Sequence, residues 1–170
     1  MIRLGDQDEA TRNSILAMLE IICSEADLKV APDGTVEIGN ADACTEEFAR
    51  SHCGCRCLCQ LVKAARTVTI QVHAARAAAG GGGLTIDANE EDTVNGRGSD
   101  ETVYIDNRNL YAPQPDWLIL AHELCGHALP GMLGTHVEWR RGQPGFKPDW
   151  HQQAIEVENE IRREHGLPLR

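Results

Sequence analysis

The amino-acid sequence predicts an α+β fold with a small mixed sheet. Three observations support this class: apolar residues at helical spacing near both ends of the chain, short β-rich runs between them, and Gly and Pro residues that separate the runs. With 170 residues the chain fits one domain. We predict a helix and a hairpin as an appendage over residues 1–50, and the core of the domain over residues 51–170.

The first half of the chain contains signals for two helices, a hairpin and a strand. Asn13–Cys23 carries apolar residues at near-helical spacing, which predicts an amphipathic helix. Leu28–Val30 and Thr35–Ile38 flank a Pro-Asp-Gly turn and predict a hairpin. Cys57–Ala65 predicts a short helix that leads into the strand Thr67–Val72.

The middle of the chain begins with four consecutive glycines at positions 80–83, which predict a loop because glycine loses the most backbone freedom in regular structure. Leu84–Asp87 and Thr102–Asp106 predict two short strands. The polar residues 88–100 between them predict an exposed excursion.

Two helices are predicted in the last third of the chain. Asp116 is expected to cap an apolar helix over Trp117–Leu129. Asp149 is expected to cap a last helix over Trp150–His165, and Gly166 to end it.

The charge and hydropathy of the chain exclude some functions. A formal net charge of −10 argues against nucleic-acid binding by bulk electrostatics. No run approaches the roughly 20 apolar residues of a membrane span. Met1–Ala10 has no apolar stretch, so no Sec-type signal is expected there. The expected location is therefore the cytoplasm of the producing cell, or a secretion route that needs no such signal.

The most informative segment is the apolar helix predicted near residue 120, because it contains His122, Glu123 and His127. Burying these groups without partners costs several kcal/mol, on the order of 2–7 for a single neutral polar group. A metal ion provides a partner, since neutral imidazoles bind zinc and the adjacent carboxylate can accept a proton from water. We therefore predict a Zn²⁺ site with His122 and His127 as ligands and Glu123 as the catalytic group.

The spacing of these histidines requires an irregular helix. At about 100° per residue, positions i and i+5 of a regular helix lie some 140° apart, so His122 and His127 would point in different directions. One extra residue absorbed by i→i+5 bonding returns both to one face. We predict a π-turn or a helix break between Glu123 and His127, with Gly126 as the most deformable residue.

A third protein ligand is expected from elsewhere in the chain. Glu158 is preferred because it lies within the apolar stripe of the last predicted helix. His151, on the same stripe two turns earlier, and His136 are the alternatives. Arg162, four residues after Glu158, is placed to orient that carboxylate or to bind a substrate carboxyl group.

The motif Ala121–Leu129, followed by Glu158–Arg162 and Glu164–Pro168, resembles the catalytic half of zincin-type bacterial effector peptidases. These occur as type III secreted proteases and as toxin domains at the ends of Rhs and VgrG proteins. The resemblance covers roughly the last 70 residues. It implies a zincin-like fold, a zinc cofactor, a peptide or protein substrate and delivery into a target cell or the periplasm. An immunity protein or a secretion carrier is a further expected partner.

The resemblance also implies a mechanism and a substrate-binding strand. Glu123 would act as the general base for a zinc-activated water, and Glu101–Asp106 is the expected edge strand for an extended peptide. A residue that stabilises the oxyanion is left open among Tyr104, Tyr111, His136 and Arg162.

Seven cysteines, an odd number, exclude a fully paired disulfide framework. Cys53, Cys55, Cys57 and Cys59 alternate along the chain, and a metal cluster, one or two disulfides, or free thiols are all open interpretations. Cys125 is expected to be a small packing residue.

Two other functions remain as alternatives to a zinc peptidase. One is a non-catalytic module, a degenerate zincin whose zinc is closed by four protein ligands, including both His151 and Glu158. The other is a cysteine-ligated metal or redox protein, in which the His-Glu segment belongs to the core.

Overall fold

The structure is a computed structural model that describes residues 1–108, 110–111, 113–135 and 150–170. Two sequence predictions, His136 as a zinc ligand or oxyanion donor and Asp149 as a helix cap, lie outside the described residues.

The described chain is built on one six-stranded mixed sheet with the strand order β2-β3-β1-β4-β6-β5. β4 pairs in parallel with β1 and β6, and the other three neighbouring pairs are antiparallel. The strands are β1 (Ile2–Leu4), β2 (Leu28–Val30), β3 (Thr35–Ile38), β4 (Val68–Val72), β5 (Gly83–Asp87) and β6 (Glu101–Ile105). The predicted α+β class with a mixed sheet is therefore confirmed.

The helices of the described residues lie before, between and after the strands. They are α1 (Glu9–Ile22), α2 (Glu46–Ser51), α3 (Cys53–Lys63), α4 (Ala74–Ala79), α5 (Glu90–Val94), α6 (Asp116–Ala121), a π-helix (His122–Ala128), α7 (Leu129–Leu133) and α8 (Trp150–Glu164), with a 3-10 turn at Ala41–Cys44. No helix within the described ranges is both long and apolar enough to cross a membrane.

Three strands from the first fifty residues belong to the main sheet. β1, β2 and β3 lie in the same sheet as β4, so the expected appendage over residues 1–50 contributes three of the six strands. β1 was not predicted, because three residues are too few to display a strand alternation. α1 begins at Glu9, before the predicted Asn13, since Asp8 caps it by accepting from the Thr11 amide at 2.7 Å.

The predicted hairpin is confirmed. Leu28 pairs with Ile38, and the intervening turn includes Gly34 at φ +88°, a conformation that favours glycine. By contrast, residues 88–100 are not simply an exposed excursion. They contain α5, capped by Asn89, and their Thr93 and Ser99 side chains are buried.

The core lies on one face of the sheet. Alternate residues of β1, β4 and β6 are almost fully buried there: Ile2, Leu4, Val68, Ile70, Val103 and Ile105. They form a single apolar cluster with residues of α1, α3, α6 and α8, such as Leu19, Leu61, Leu120 and Ile161. Each fully buried aliphatic side chain contributes about 1.5–3 kcal/mol relative to exposure, so this face holds the helices in position.

Three disulfides connect α3 to other elements. Cys55 is bonded to Cys23 at the end of α1, Cys59 to Cys44, and Cys57 to Cys125 in the π-helix. The structure therefore has three disulfides, whereas one or two were considered from the sequence. Cys125, expected to be a small packing residue, is cross-linked. Cys53 is a buried free thiol.

A buried acid lies at the start of β6. Glu101 is 2% exposed, and its Oε1 accepts a hydrogen bond from the Ser99 hydroxyl at 3.3 Å. A side chain at Gly131 would overlap this carboxyl group, which explains the glycine. Burial, followed by a hydrogen bond with Asp87, raises the pKa of Glu101 to about 9. Glu101 is therefore protonated in the folded protein at neutral pH.

This protonation predicts a pH dependence of stability. Between the ordinary pKa of 4.5 and the folded value of about 9, the folded state binds the Glu101 proton and the unfolded state does not. The free energy of unfolding should therefore fall as pH rises through this range, by at most about 1.4 kcal/mol per pH unit. Urea denaturation at pH 5, 7 and 9 should show a smaller fall for Glu101→Gln. The exposed Glu37→Gln variant is the control, and equal slopes in all three proteins would contradict the prediction.

Candidate metal centre and cleft

The candidate site is carried by one continuous helical segment, residues 116–133, which we call the site helix. It joins α6, the π-helix and α7 without a break. Asp116 is its first residue and not the predicted cap, since Pro115 precedes the helix and no side-chain cap bond forms. The segment also continues four residues beyond the predicted end. Pro130 lies just after the π-helix, at the start of α7, and Gly134 at φ +66° ends the helix.

The predicted π-turn is confirmed. Residues His122–Ala128 form a π-helix, and the amide of Leu129 donates to the carbonyl of Leu124, five residues earlier. The wider turn brings both histidines to one side of the helix, with ring centroids 5.1 Å apart.

A third histidine completes a group that could hold a metal ion. His151, in the first turn of α8, has its ring centroid 5.2 Å from that of His122 and 6.1 Å from that of His127. One ring nitrogen of each lies within 4.8 Å of the others. His122 is buried, His127 half-buried and His151 exposed, so the group opens from the core towards solvent.

Glu158, the preferred third ligand from the sequence, is not a member of this group. It is 1% exposed and accepts from His122 Nδ1 at 2.9 Å and from Arg162 Nε at 2.6 Å. The helical stripe did place Glu158 towards the core, but against the back of the His122 ring. His151, one of the two alternatives, is the third member of the group. Of the two expected roles of Arg162, the structure shows the contact with Glu158.

The environment of Glu158 keeps it ionised. Burial raises its pKa, but hydrogen bonds from His122 and Arg162 outweigh this effect and lower the pKa to about 2. An ionised carboxylate at Nδ1 favours the His122 tautomer with its proton on that nitrogen. Nε2 is then left with a lone pair for a metal, an arrangement common for metal-binding histidines.

α8 approaches the π-helix very closely at Gly126. A Cβ at this position would lie 2.6 Å from the Cα of Ala154, so only glycine allows the contact. The sequence suggested Gly126 for its deformability, whereas the structure shows that its lack of a side chain brings His151 and Glu158 to the histidine pair. The burial of Ala154 is consistent with this tight packing.

Glu123 lies beside the histidines, against β5. It is 6% exposed, and its Oε2 accepts from the Thr85 hydroxyl at 2.7 Å. A Cβ at Gly83 would lie 2.6 Å from the Glu123 Cγ, so this glycine makes room for the carboxylate. Burial raises the pKa of Glu123, and the hydrogen bond from Thr85 opposes the rise. Thr85 and Gly83 carry no sequence signal of a site, since their role depends on strand pairing.

The residues of the site line a cavity of about 370 Å³. Its lining includes Gly83, Thr85 and Asp87 of β5 and the three histidines. β5 is the edge strand of the sheet, whereas the predicted edge strand Glu101–Asp106 corresponds to β6, which pairs with β4 on one side and β5 on the other. Because β5 returns antiparallel along β6, it takes the outer position and leaves β6 no free edge.

None of the oxyanion candidates that the structure describes lines this cavity. Tyr104 lies beneath the Arg76 guanidinium, 4.8 Å from it, and Tyr111 lines a neighbouring cavity. Arg162 is engaged with Glu158 and with the carbonyl of Pro168. The cavity is lined instead by Arg170, which the sequence gave no reason to select.

The sequence matches no protein-family model, and comparisons with curated proteins and with solved structures give no match. The site is therefore interpreted from its own geometry and chemistry.

The disulfide between Cys57 and Cys125 predicts that metal affinity and the free energy of unfolding respond differently to the loss of different disulfides. Both double variants, Cys57→Ala/Cys125→Ala and Cys44→Ala/Cys59→Ala, should lose about 2–5 kcal/mol of unfolding free energy. The first alone removes the covalent link to the π-helix. It alone should therefore weaken binding of a metal ion to the histidine group, with zinc as the probe, by about 10-fold or more. Competition with a chromophoric chelator measures the affinity. Equal zinc affinities in the two variants would show that the link does not support the site.

Proposed function

We propose that this protein is a zinc-dependent peptidase, a hydrolase that uses Glu123 as its general base. The observation that carries the proposal is the group of three histidine nitrogens within 4.8 Å of one another, beside a buried glutamate in an open cleft. Three protein ligands with access from solvent are typical of catalytic zinc sites, whereas structural sites are closed by four.

The residues present fit a zinc ion. Histidine nitrogens bind zinc at 2.0–2.1 Å, which places tetrahedral ligands about 3.4 Å apart, so the three rings need only a small contraction from their present separation. Imidazole also suits copper, iron and nickel, and the identity of the metal is part of the proposal. Glu158 behind His122 supplies the carboxylate that commonly orients a zinc-binding histidine.

In the proposed reaction a bound zinc ion supplies Lewis-acid activation of a water molecule and of the scissile carbonyl. Glu123 accepts one proton from that water as its oxygen bonds to the carbonyl carbon. Glu123 then returns the proton to the amine nitrogen as the carbon–nitrogen bond breaks, so the carboxylate is regenerated. The hydroxyl of Thr85 donates to Glu123 and holds the carboxylate in position.

The outer edge of β5, which no strand of the described residues covers, supports a peptide substrate. An extended peptide can add to this edge by main-chain hydrogen bonds, as in other cases of β-augmentation, and would then lie across the cavity in front of Glu123. The net charge of −10 disfavours a nucleic-acid substrate.

The proposed setting is that of a secreted bacterial effector or toxin with a zincin-like fold. The resemblance of the Ala121–Leu129 motif to effector peptidases supports it, and so do the three disulfides, which persist in oxidising compartments such as the periplasm. An immunity protein or carrier as partner belongs to the same proposal.

The alternatives have less support. A closed, non-catalytic zinc module needs Glu158 as a fourth ligand, but both carboxylate oxygens already accept hydrogen bonds from His122 and Arg162. A cysteine-ligated metal protein needs thiolates, whereas six of the seven cysteines form disulfides.

The ligand set predicts zinc stoichiometry. Plasma mass spectrometry should find one zinc per wild-type chain and much less in His127→Ala and His151→Ala. Glu158→Gln should retain zinc with about 10- to 100-fold lower affinity, because it acts through His122. His165→Ala, directly after α8 and beside Trp117, is the matched control. Loss of zinc in Glu158→Ala but not in His151→Ala would restore Glu158 as the ligand.

The role of Glu123 predicts a second outcome. Glu123→Gln should keep its zinc but cleave a quenched-peptide library about 10²- to 10⁴-fold more slowly, since only the proton transfer is removed. Glu156→Gln, an exposed glutamate on α8, should cleave at the wild-type rate. A zinc-loaded wild-type protein that cleaves no peptide would favour the binding module.

A further inference from the structure

Among the described residues, Arg170 is a cation of the cleft that the proposed reaction does not use. Arg170 lines the cavity of the histidine group and also the neighbouring cavity of about 570 Å³. Its Nη1 lies 3.3 Å from Glu158 Oε2, and its side chain is 42% exposed. A substrate in the cleft can therefore reach the guanidinium group.

The position of Arg170 is fixed by its backbone. The Asn159 side chain donates to the Arg170 carbonyl at 3.2 Å and accepts from the Arg170 amide at 2.8 Å. The Arg162 guanidinium donates to the carbonyl of Pro168 at 2.9 Å. These three bonds hold residues 168–170 along α8, and Arg170 faces the cleft. Binding a ligand at Arg170 therefore does not carry the entropy cost of ordering a free chain segment.

The charge of Arg170 is not neutralised by its contact with Glu158. That carboxylate has two guanidinium neighbours, and Arg162 is the closer, at 2.6 Å, and the more buried, at 11% exposure. Arg162 is therefore the main partner of that carboxylate, and the half-exposed Arg170 guanidinium stays accessible to a second carboxylate. Within the described ranges Glu158 is the only carboxylate within 4 Å of Arg170.

Among the described residues of the cleft, Asp87 and Arg170 lie towards opposite ends. Gly83, where β5 begins, faces Glu123 and Ile119, while Asp87, where β5 ends, lies near Gly131 further along the site helix. Arg170 lies towards the end where β5 begins. The neighbouring cavity that Arg170 lines is also lined by Tyr111, whose ring packs on Gly82, next to the start of β5. Asp87 therefore marks the acidic end and Arg170 the basic end.

This polarity gives a substrate a direction. Antiparallel pairing is the slightly more stable ladder, and it places the carboxyl-terminal side of a peptide at the start of β5. That side is the leaving-group side of the scissile bond. A carboxylate there meets Arg170, whereas the amino-terminal side lies towards Asp87.

We propose that Arg170 is a specificity residue that binds a substrate carboxylate on the leaving-group side of the scissile bond. The proposal rests on the proposed peptidase function. The carboxylate is either the C-terminus of the peptide or an acidic side chain, and both offer two oxygens to a guanidinium fork.

Matched peptides distinguish these sources. One pair of hexapeptide libraries ends in a free carboxylate or in a carboxamide, and a second pair, both amidated, carries Glu or Gln at each position in turn. The wild type should cleave one carboxylate member about 10- to 100-fold faster than its neutral counterpart, the range expected for a charge-assisted hydrogen bond. Arg170→Gln should lose this preference, and Arg170→Glu should prefer a Lys-containing peptide. Arg163→Gln, which removes an exposed arginine of α8, should keep the preference for the carboxylate peptide.

A binding assay separates this proposal from the peptidase function. Fluorescence anisotropy with the same labelled peptides is measured on zinc-loaded Glu123→Gln, with and without Arg170→Gln. If the wild type cleaves both members of each pair equally, the Arg170 proposal is overturned and the peptidase function stands. If nothing is cleaved but the carboxylate peptides bind more tightly through Arg170, the peptidase function fails and Arg170 still recognises a carboxylate. Equal or absent binding of all peptides, without cleavage, overturns both.

Discussion

The arrangement of this site depends on a single extra residue between His122 and His127. In a regular α-helix the two rings would diverge by about 140°, and one of them would point into the core or into solvent. The π-helix absorbs the residue and returns both rings to one face, within 5.1 Å of each other. Its wider turns are rare and less stable than α-helical ones, so neighbouring elements have to hold them. Much of the packing around the π-helix can be understood as this support.

The support comes mainly from α8. Because Gly126 has no side chain, α8 approaches the π-helix closely at Ala154. This contact sets the positions of His151, which precedes Ala154 on α8, and of Glu158, which follows it. The two residues then serve different purposes, since His151 reaches the open side of the histidine pair while Glu158 fixes the His122 ring from behind. A helix that lay further away would leave an ionised carboxylate buried without its histidine partner, which costs several kcal/mol.

Local patterns in the sequence predicted much of the fold and part of the site. Helical periodicity and turn residues predicted the hairpin and most helices, and the spacing of His122 and His127 was enough to predict a π-turn. Periodicity gives the face of a helix but not the distance to a neighbour, so it could not decide between Glu158 and His151. Strand order is a long-range property, which is why β6 was mistaken for the edge strand and Thr85 carried no signal. The tertiary fold likewise decides which of the seven cysteines pair, so their spacing in the sequence did not predict the three disulfides.

The π-helix is held by three different kinds of interaction, each at a different residue. Cys125 is tied covalently to α3, Gly126 is packed against α8, and His122 is hydrogen-bonded to an ionised carboxylate. α3 is itself linked by two further disulfides to residues 23 and 44, so the covalent link reaches the first helix of the fold. Loosening the π-helix therefore requires disturbing the main core. Because the packing of the protein itself fixes the histidine group, a ligand that binds there would spend little of its binding free energy on ordering the protein.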